Sequence, residues 1–190
     1  DGSYYTIYNG NIVSNGLFGY VENATIKNVG LYNCTITGEG GYVGGIVGEA
    51  VNTDIENTYV SHGSINGDNT VAGIVGKYTS NDEEHYISNS FADTTINGAS
   101  VAGLVGDISA DTVVTISNSY YTNQDRYNVT LDNQENVVTT NVIRATSVSQ
   151  FYSWDYAAEY NLEKTWCNYS YREGSNELSF SYPVLTKFNK

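Results

Sequence analysis

Two histidines, His62 and His85, and two cysteines, Cys34 and Cys167, are the only imidazoles and thiols in this chain. They are too few and too scattered for a three-histidine or Cys/His zinc set. The His-Glu-x-x-His pattern of zinc peptidases is absent, as are Gly-x-Gly-x-x-Gly and the phosphate loop. There is no Gly-x-Ser-x-Gly elbow to expose a serine nucleophile. Paired carboxylates remain: Asp54 with Glu56, and Asp82 with Glu84. Glycoside hydrolysis needs such a pair about 5–10 Å apart across a groove. A chain of net charge −13 carries exposed acids in any case. The residues therefore point to a non-enzymatic protein.

Binding chemistry is better represented. The stretch Tyr78-Thr79-Ser80-Asn81-Asp82-Glu83-Glu84-His85 gathers hydroxyl, amide, carboxylate and imidazole groups within eight positions. Tyr78, Asn81, Asp82, Glu83, Glu84 and His85 are its candidate binding residues. Hard oxygen donors of this kind suit calcium, with Asp82 and Glu84 as the ligands. No spaced Asp-x-Asp-x-Asp-Gly loop accompanies them, and a solvated acidic loop is the plain alternative. The 18 tyrosines are a second resource. Exposed tyrosine offers amphipathic contact area to proteins or sugars at low entropic cost.

Composition narrows the partners. Eight Lys+Arg stand against 21 Asp+Glu. Such a surface repels phosphate backbones and anionic headgroups, which argues against nucleic acid and membrane-surface partners. No apolar run approaches the roughly 20 residues that span a bilayer, so no membrane insertion is expected. Met is absent and the sequence opens at Asp1, which reads as a piece excised from a longer polypeptide with other domains.

These side chains must be positioned by something, and the sequence shows what. One tetrapeptide recurs: Gly16-Leu17-Phe18-Gly19, Gly45-Ile46-Val47-Gly48, Gly73-Ile74-Val75-Gly76 and Gly103-Leu104-Val105-Gly106. Repeat starts near residues 16, 45, 73 and 103 lie 29, 28 and 30 residues apart. A period in this range marks stacked supersecondary units. Each unit continues with Ile-x-Asn (Ile26, Ile55, Ile87, Ile116) and then Ile-x-Gly (Ile36, Ile65, Ile96). Parts of four to six residues fit short strands, not helices. Thr, Val, Ile and Tyr favour strands, and Gly and Asn favour the turns between them.

One unit cannot bury its apolar face alone. Stacking puts Leu17, Ile46, Ile74 and Leu104 in one column, the Ile-x-Asn isoleucines in a second and the Ile-x-Gly isoleucines in a third. Columns at about 4.8 Å spacing describe a parallel β-solenoid. Parallel crossovers are overwhelmingly right-handed, so the fold class is an all-β, right-handed parallel β-solenoid of about four to five coils with a C-terminal aromatic cap. Asn28, Asn57, Asn89 and Asn118 should stack as an amide ladder that fixes register. The repeated glycines should serve corners needing φ > 0 or close approach between coils. The longer loop at 78–85 breaks the rhythm, and in solenoids insertions collect on the face where loops emerge.

Residues 1–123 therefore form the solenoid, with a lead-in strand region over 1–15 and a turn at Asn9-Gly10. Residues 124–190 form a capping region of short strands, over Tyr127–Leu131 and Val137–Ile143, with a short helix beginning near Thr146. Its aromatic residues, Trp154 and Trp166 among them, would cover the exposed end of the stack. Cys34 and Cys167 would be held layers apart, beyond the roughly 7 Å of disulfide geometry, leaving Cys34 as a small buried hydrophobe. Sequons at Asn23, Asn33, Asn128 and Asn168 are what chance gives in so Asn- and Thr-rich a chain.

Together, Gly-Φ-Val-Gly, Ile-x-Asn-Ser-Tyr and Ile-x-Gly resemble the GLUG-motif repeats of bacterial cell-surface proteins, over roughly residues 4–122. The tail is also similar: Trp154-Asp155, Thr165-Trp166 and Tyr182-Pro183-Val184-Leu185 match the segment that often follows such repeats, with Ser181 where glycine is usual. The resemblance implies a secreted or cell-surface location, in adhesin-like proteins or in non-catalytic regions of immunoglobulin A-cleaving metallopeptidases. It transfers no catalytic residue. The expectation is an adhesin-like binding or stalk module recognising a host protein or glycan. The alternative is an accessory, substrate-positioning domain of a large secreted protease or glycan-degrading enzyme.

Overall fold

A computed structural model describes residues 1–81 and 84–122, with 137–140, 143–144, 154, 156–157, 166–167, 170–173, 176–179 and 184–185. These residues are all-β, with parallel strands stacked as a β-solenoid of about four turns. The lead-in coil holds β1 (Tyr5–Tyr8) and β2 (Asn11–Val13). Next come β3 (Phe18–Glu22), β4 (Thr25–Tyr32), β5 (Thr35–Thr37) and β6 (Tyr42–Gly44). The following coil holds β7 (Val47–Val51), β8 (Asp54–Asn66) and β9 (Thr70–Ala72). Then come β10 (Val75–Thr79), β11 (His85–Ser88), β12 (Phe91–Asn97) and β13 (Ser100–Ala102). β14 (Val105–Ile108), β15 (Val114–Ser117) and β16 (Tyr120–Tyr121) complete the regular part. Parallel pairing carries on past residue 123: β17 (Val137–Thr140) pairs with β15, and β18 (Ile143–Arg144) with β16.

The isoleucine columns form as the repeat requires. Ile26 pairs with Ile55, Ile55 with Ile87, and Ile87 with Ile116. Ile12, Ile36, Ile65 and Ile96 make the second column. Ile46, Ile74 and Leu104 are wholly buried and hydrogen-bonded coil to coil, Ile46 N to Ile74 O and Ile74 N to Leu104 O. Fully burying one such side chain stabilises by about 1.5–3 kcal/mol, so each column is a substantial term. Strand periodicity sends the intervening residues outward, as Glu56 beside Ile55.

The two turn-forming residues divide the work. None of the tetrapeptide glycines has positive φ; Gly16, Gly45, Gly48, Gly73, Gly76 and Gly106 are needed for close approach between coils, where a Cβ would meet backbone atoms of the neighbouring coil. A Cβ on Gly76 would sit 2.6 Å from Gly48 O and 2.7 Å from Val43 N. One on Gly45 would overlap Gly73 O, and one on Gly73 would overlap Gly103 O. The left-handed corners belong instead to asparagine. Asn28, Asn57, Asn89 and Asn118 have φ of 57°, 51°, 47° and 44°. Asparagine tolerates this region because its short side chain bonds locally. Here that bond runs along the axis: Asn57 Nδ2 donates to Asn28 Oδ1 at 3.0 Å, and Asn89 Nδ2 to Asn57 Oδ1 at 3.3 Å. The expected amide ladder is present and also sets the corner.

Beyond the Asn corner, strand alternation points Val60 and Ala92 into the core and Tyr59, Phe91 and Tyr120 to the opposite side. There Trp154, Trp166 and Leu185 of the tail cover them. Trp166 meets Tyr59 edge-on at 5.9 Å, and Trp154 meets Trp166 at 4.6 Å and Tyr120 at 5.6 Å. Trp154 Nε1 donates to Asn118 O, at the end of the described ladder. The aromatic bulk thus closes the flank of the stack, because an outward aromatic column needs cover as much as the last coil does. Further tail strands are β19 (Tyr156–Ala157), β20 (Trp166–Cys167), β21 (Ser170–Glu173), β22 (Asn176–Ser179) and β23 (Val184–Leu185). β20 pairs with both β19 and β23, and β21 with β22. The strand expected over Tyr127–Leu131 and the short helix near Thr146 lie outside the described residues. Cys34 is a free, buried thiol whose Sγ accepts from Gly10 N at 3.3 Å.

Candidate functional site

The loop that lengthens the third repeat sits between β10 and β11, and its residues have different fates. Tyr78 is wholly buried in the core and offers no surface to a ligand. Its hydroxyl donates to Thr53 O and accepts from Thr53 N. Burial, the largest cause, pushes its phenol well above the ordinary value of 10.0. The register explains this: Tyr78 pairs with Ala50 and Ile108 in an inward column, so a tyrosine fills space that alanine leaves in the coil below. Tyr121 likewise belongs to the core, while Tyr4 and Tyr32 pack against the tail's aromatic cluster.

Asn81, Glu84 and His85 do lie together at the surface, each tied to a neighbouring coil. Asn81 N donates to Asn52 Oδ1 at 3.0 Å, and Asn52 Nδ2 donates to Asn23 Oδ1 at 3.3 Å. His85 Nδ1 lies 3.0 Å from Asp54 Oδ1, which also accepts from Tyr86 N at 3.2 Å. On the other side, Thr115 Oγ1 donates to Glu84 Oε1 at 2.7 Å. These three residues are therefore tied to the coil below, through Asn52 and Asp54, and to the coil above, through Thr115. Asp82 and Glu83 lie outside the described residues.

This arrangement presents a polar rim. Asn81, Glu84 and Tyr86 are exposed, and His85 is half-buried over Asp54. Burial, followed by the Asp54 and Glu56 carboxylates, raises the Tyr86 phenol above its ordinary value. The rim carries donors and acceptors with an aromatic ring beside them, the chemistry that recognises sugar hydroxyls or peptide amides. Asp54 Oδ1 is occupied by the His85 ring and the Tyr86 amide. Of the two calcium ligands named from sequence, Glu84 is bonded to Thr115 and Asp82 is not described. Among the described residues, no three His, Cys, Asp or Glu side chains come together as a metal-binding group. His62 lies apart from the rim, stacked on Tyr32 at 4.8 Å and 4.0 Å from Asp93.

Sequence reasoning missed Asn52, Asp54 as a partner of His85, and Thr115. A signal existed: Asn23, Asn52 and Asn81 are spaced by 29 residues each, and the first two have positive φ. This second asparagine column precedes the Ile-x-Asn strands and anchors the loop. Comparison of the chain with family models, curated proteins and solved structures finds no match in any of the three.

Proposed function

We propose that this chain is a non-enzymatic, surface-displayed binding module, a stiff β-solenoid that presents Asn81, Glu84, His85 and Tyr86 to a host protein or glycan. The observation that carries the reading is the clamp on the loop: Asn81, Glu84 and His85 are bonded to residues of the coils on both sides. Side chains and backbone tied to neighbouring coils in this way have less freedom to lose when a ligand arrives, which reduces the ordering cost of binding. The acidic surface directs the choice of partner toward neutral or basic groups. The resemblance to the GLUG repeats of bacterial surface proteins supports secretion and adhesion as the setting, with the rod carrying other domains of a longer polypeptide.

The test is binding of the intact chain to arrays of glycans and extracellular-matrix proteins, beside an Asn81→Ala/Glu84→Ala/Tyr86→Ala variant. The expected outcome is a ligand bound by the native chain and lost by the variant at unchanged thermal stability. Equal binding by both would move the site off the rim, and binding to nothing would leave the chain as a stalk.

A further inference from the structure

Asn-Gly occurs at Asn9, Asn15, Asn66 and Asn97. Asparagine is chemically labile, and a following glycine adds to this, because without a Cβ the peptide plane between the two turns easily. The glycine nitrogen attacks the asparagine Cγ and closes a succinimide. The N–Cγ bond forms, the Cγ–Nδ2 bond breaks, and the glycine amide proton leaves with the ammonia. Water opens the ring to aspartate or isoaspartate; nothing is oxidised or reduced. The step needs a free glycine N–H and a peptide plane able to turn, and the fold grants these unequally.

At Asn66 both are denied. Gly67 N donates to Asn97 O at 3.0 Å, and Gly38 N donates to Asn66 O at 3.0 Å, so this peptide plane is bonded to coils on both sides. The leaving nitrogen is also held: Asn66 Nδ2 donates to Ile36 O at 3.1 Å and to Ser64 Oγ at 3.3 Å. At Asn15 the following Gly16 is buried, Asn15 O accepts from Gly44 N, and Asn15 Oδ1 accepts from Gly40 N. At Asn9 the Gly10 amide is occupied by Cys34 Sγ, and Asn9 Oδ1 accepts from Asn33 Nδ2 at 2.6 Å.

Asn97 differs. It ends β12, and residues 97–100 are all exposed. Its carbonyl accepts one bond, from Gly67 N, and among the described residues no neighbouring coil accepts from Gly98 N. The nucleophile is unoccupied, and a single backbone bond resists the turn. We propose that Asn97-Gly98 is the chain's site of spontaneous deamidation. The product acts on the stack. Asn97 Nδ2 donates to Asn66 Oδ1 at 2.8 Å, so exchange of the amide for a carboxylate sets acceptor against acceptor and cuts that rung. It also adds a negative charge to a chain already at −13.

Incubating the intact chain in mildly alkaline buffer, with timed peptide mapping by mass spectrometry, tests this. The same incubation in urea reports the four pairs without the fold. In the folded chain Asn97 should convert at least about tenfold faster than Asn66, the effect of the further hydrogen bonds that Asn66 must break. In urea the four rates should converge. A folded chain in which Asn9, Asn15 or Asn66 converts first, or in which Asn97 stays intact while the urea sample converts, would overturn the proposal. So would an ordering of sites that urea leaves unchanged. An Asn97→Asp chain should unfold at a lower temperature than the native one; equal unfolding temperatures would overturn the effect assigned to the lost rung.

Discussion

Asn57 donates its side-chain amide to Asn28 Oδ1 at 3.0 Å, and both residues hold φ above 50°. One residue type thus sets the corner of each coil and the register between coils. A left-handed non-glycine residue costs roughly 1–2 kcal/mol without compensation, and a buried hydrogen bond returns about 1 kcal/mol. Asn57→Ala should lower stability by about 2–3 kcal/mol, because it keeps the corner and deletes both ladder bonds. Asn57→Gly should cost about 1 kcal/mol, because glycine accepts the corner freely. Urea unfolding of the pair checks the difference; equal losses would show that the ladder and not the corner carries the effect.

The glycines make a separate prediction. Gly76→Val should destabilise by more than about 3 kcal/mol, since backbone atoms of Gly48 and Val43 occupy the space its Cβ needs. Gly41→Ala should be nearly neutral, because nothing lies within 4 Å of its Cβ position. Thermal unfolding of the two variants separates close coil approach from a general intolerance of glycine replacement.

The solenoid itself was legible in the sequence for a simple reason. A strand stack repeats the same environment, so Ile55, Ile87 and Ile116 recur because each meets the one below it. What spacing could not show was direction across the chain. Tyr78 reads as an exposed loop tyrosine next to Asn81, yet its column partner is Ala50 and the space above a small residue draws the ring inward. The clamp on the candidate site was hidden similarly. Asp54 stands 31 residues from His85, and Thr115 31 from Glu84, separations that only the register converts into contact. The aromatic flank was half legible: Tyr59, Phe91 and Tyr120 mark a column, but which side of the sheet it faces depends on strand alternation after a left-handed corner.

Tyr78 links the core to pH. Its folded pKa lies above the ordinary 10.0, so the folded state keeps the proton that the unfolded chain releases. The contribution is intact below pH 10.0 and is lost as pH rises from there through the folded value. Tyr78→Phe should lower stability at neutral pH by about 1–3 kcal/mol, because Thr53 N and O lose their buried partner. It should also flatten the alkaline limb of the stability curve above pH 10.0. Unfolding free energies measured across that limb would contradict this reading if both proteins declined in parallel.

The tail cluster should prove structural. Trp166 is wholly buried between Tyr59 and Trp154, and its Nε1 has no hydrogen-bond partner among the described residues. Trp166→Phe should therefore cost less than the usual aromatic truncation, whereas Trp166→Ala should cost about 3–5 kcal/mol. Denaturant unfolding checks both, and the fluorescence of Trp154 should shift to longer wavelength in Trp166→Ala as its cover is lost.

Every part of this account rests on the coil register, which an engineered cross-link reads directly. Glu56 and Ser88 are outward partners on adjacent coils. Their Cα atoms, one strand spacing of about 4.8 Å apart, fall within disulfide range. Tyr86, two residues off that register, lies beyond about 7 Å from Glu56 and outside it. Oxidation followed by peptide mapping should yield the 56–88 disulfide in the Glu56→Cys/Ser88→Cys chain and none in Glu56→Cys/Tyr86→Cys. A cross-link in the second chain and not in the first would contradict the stack described here.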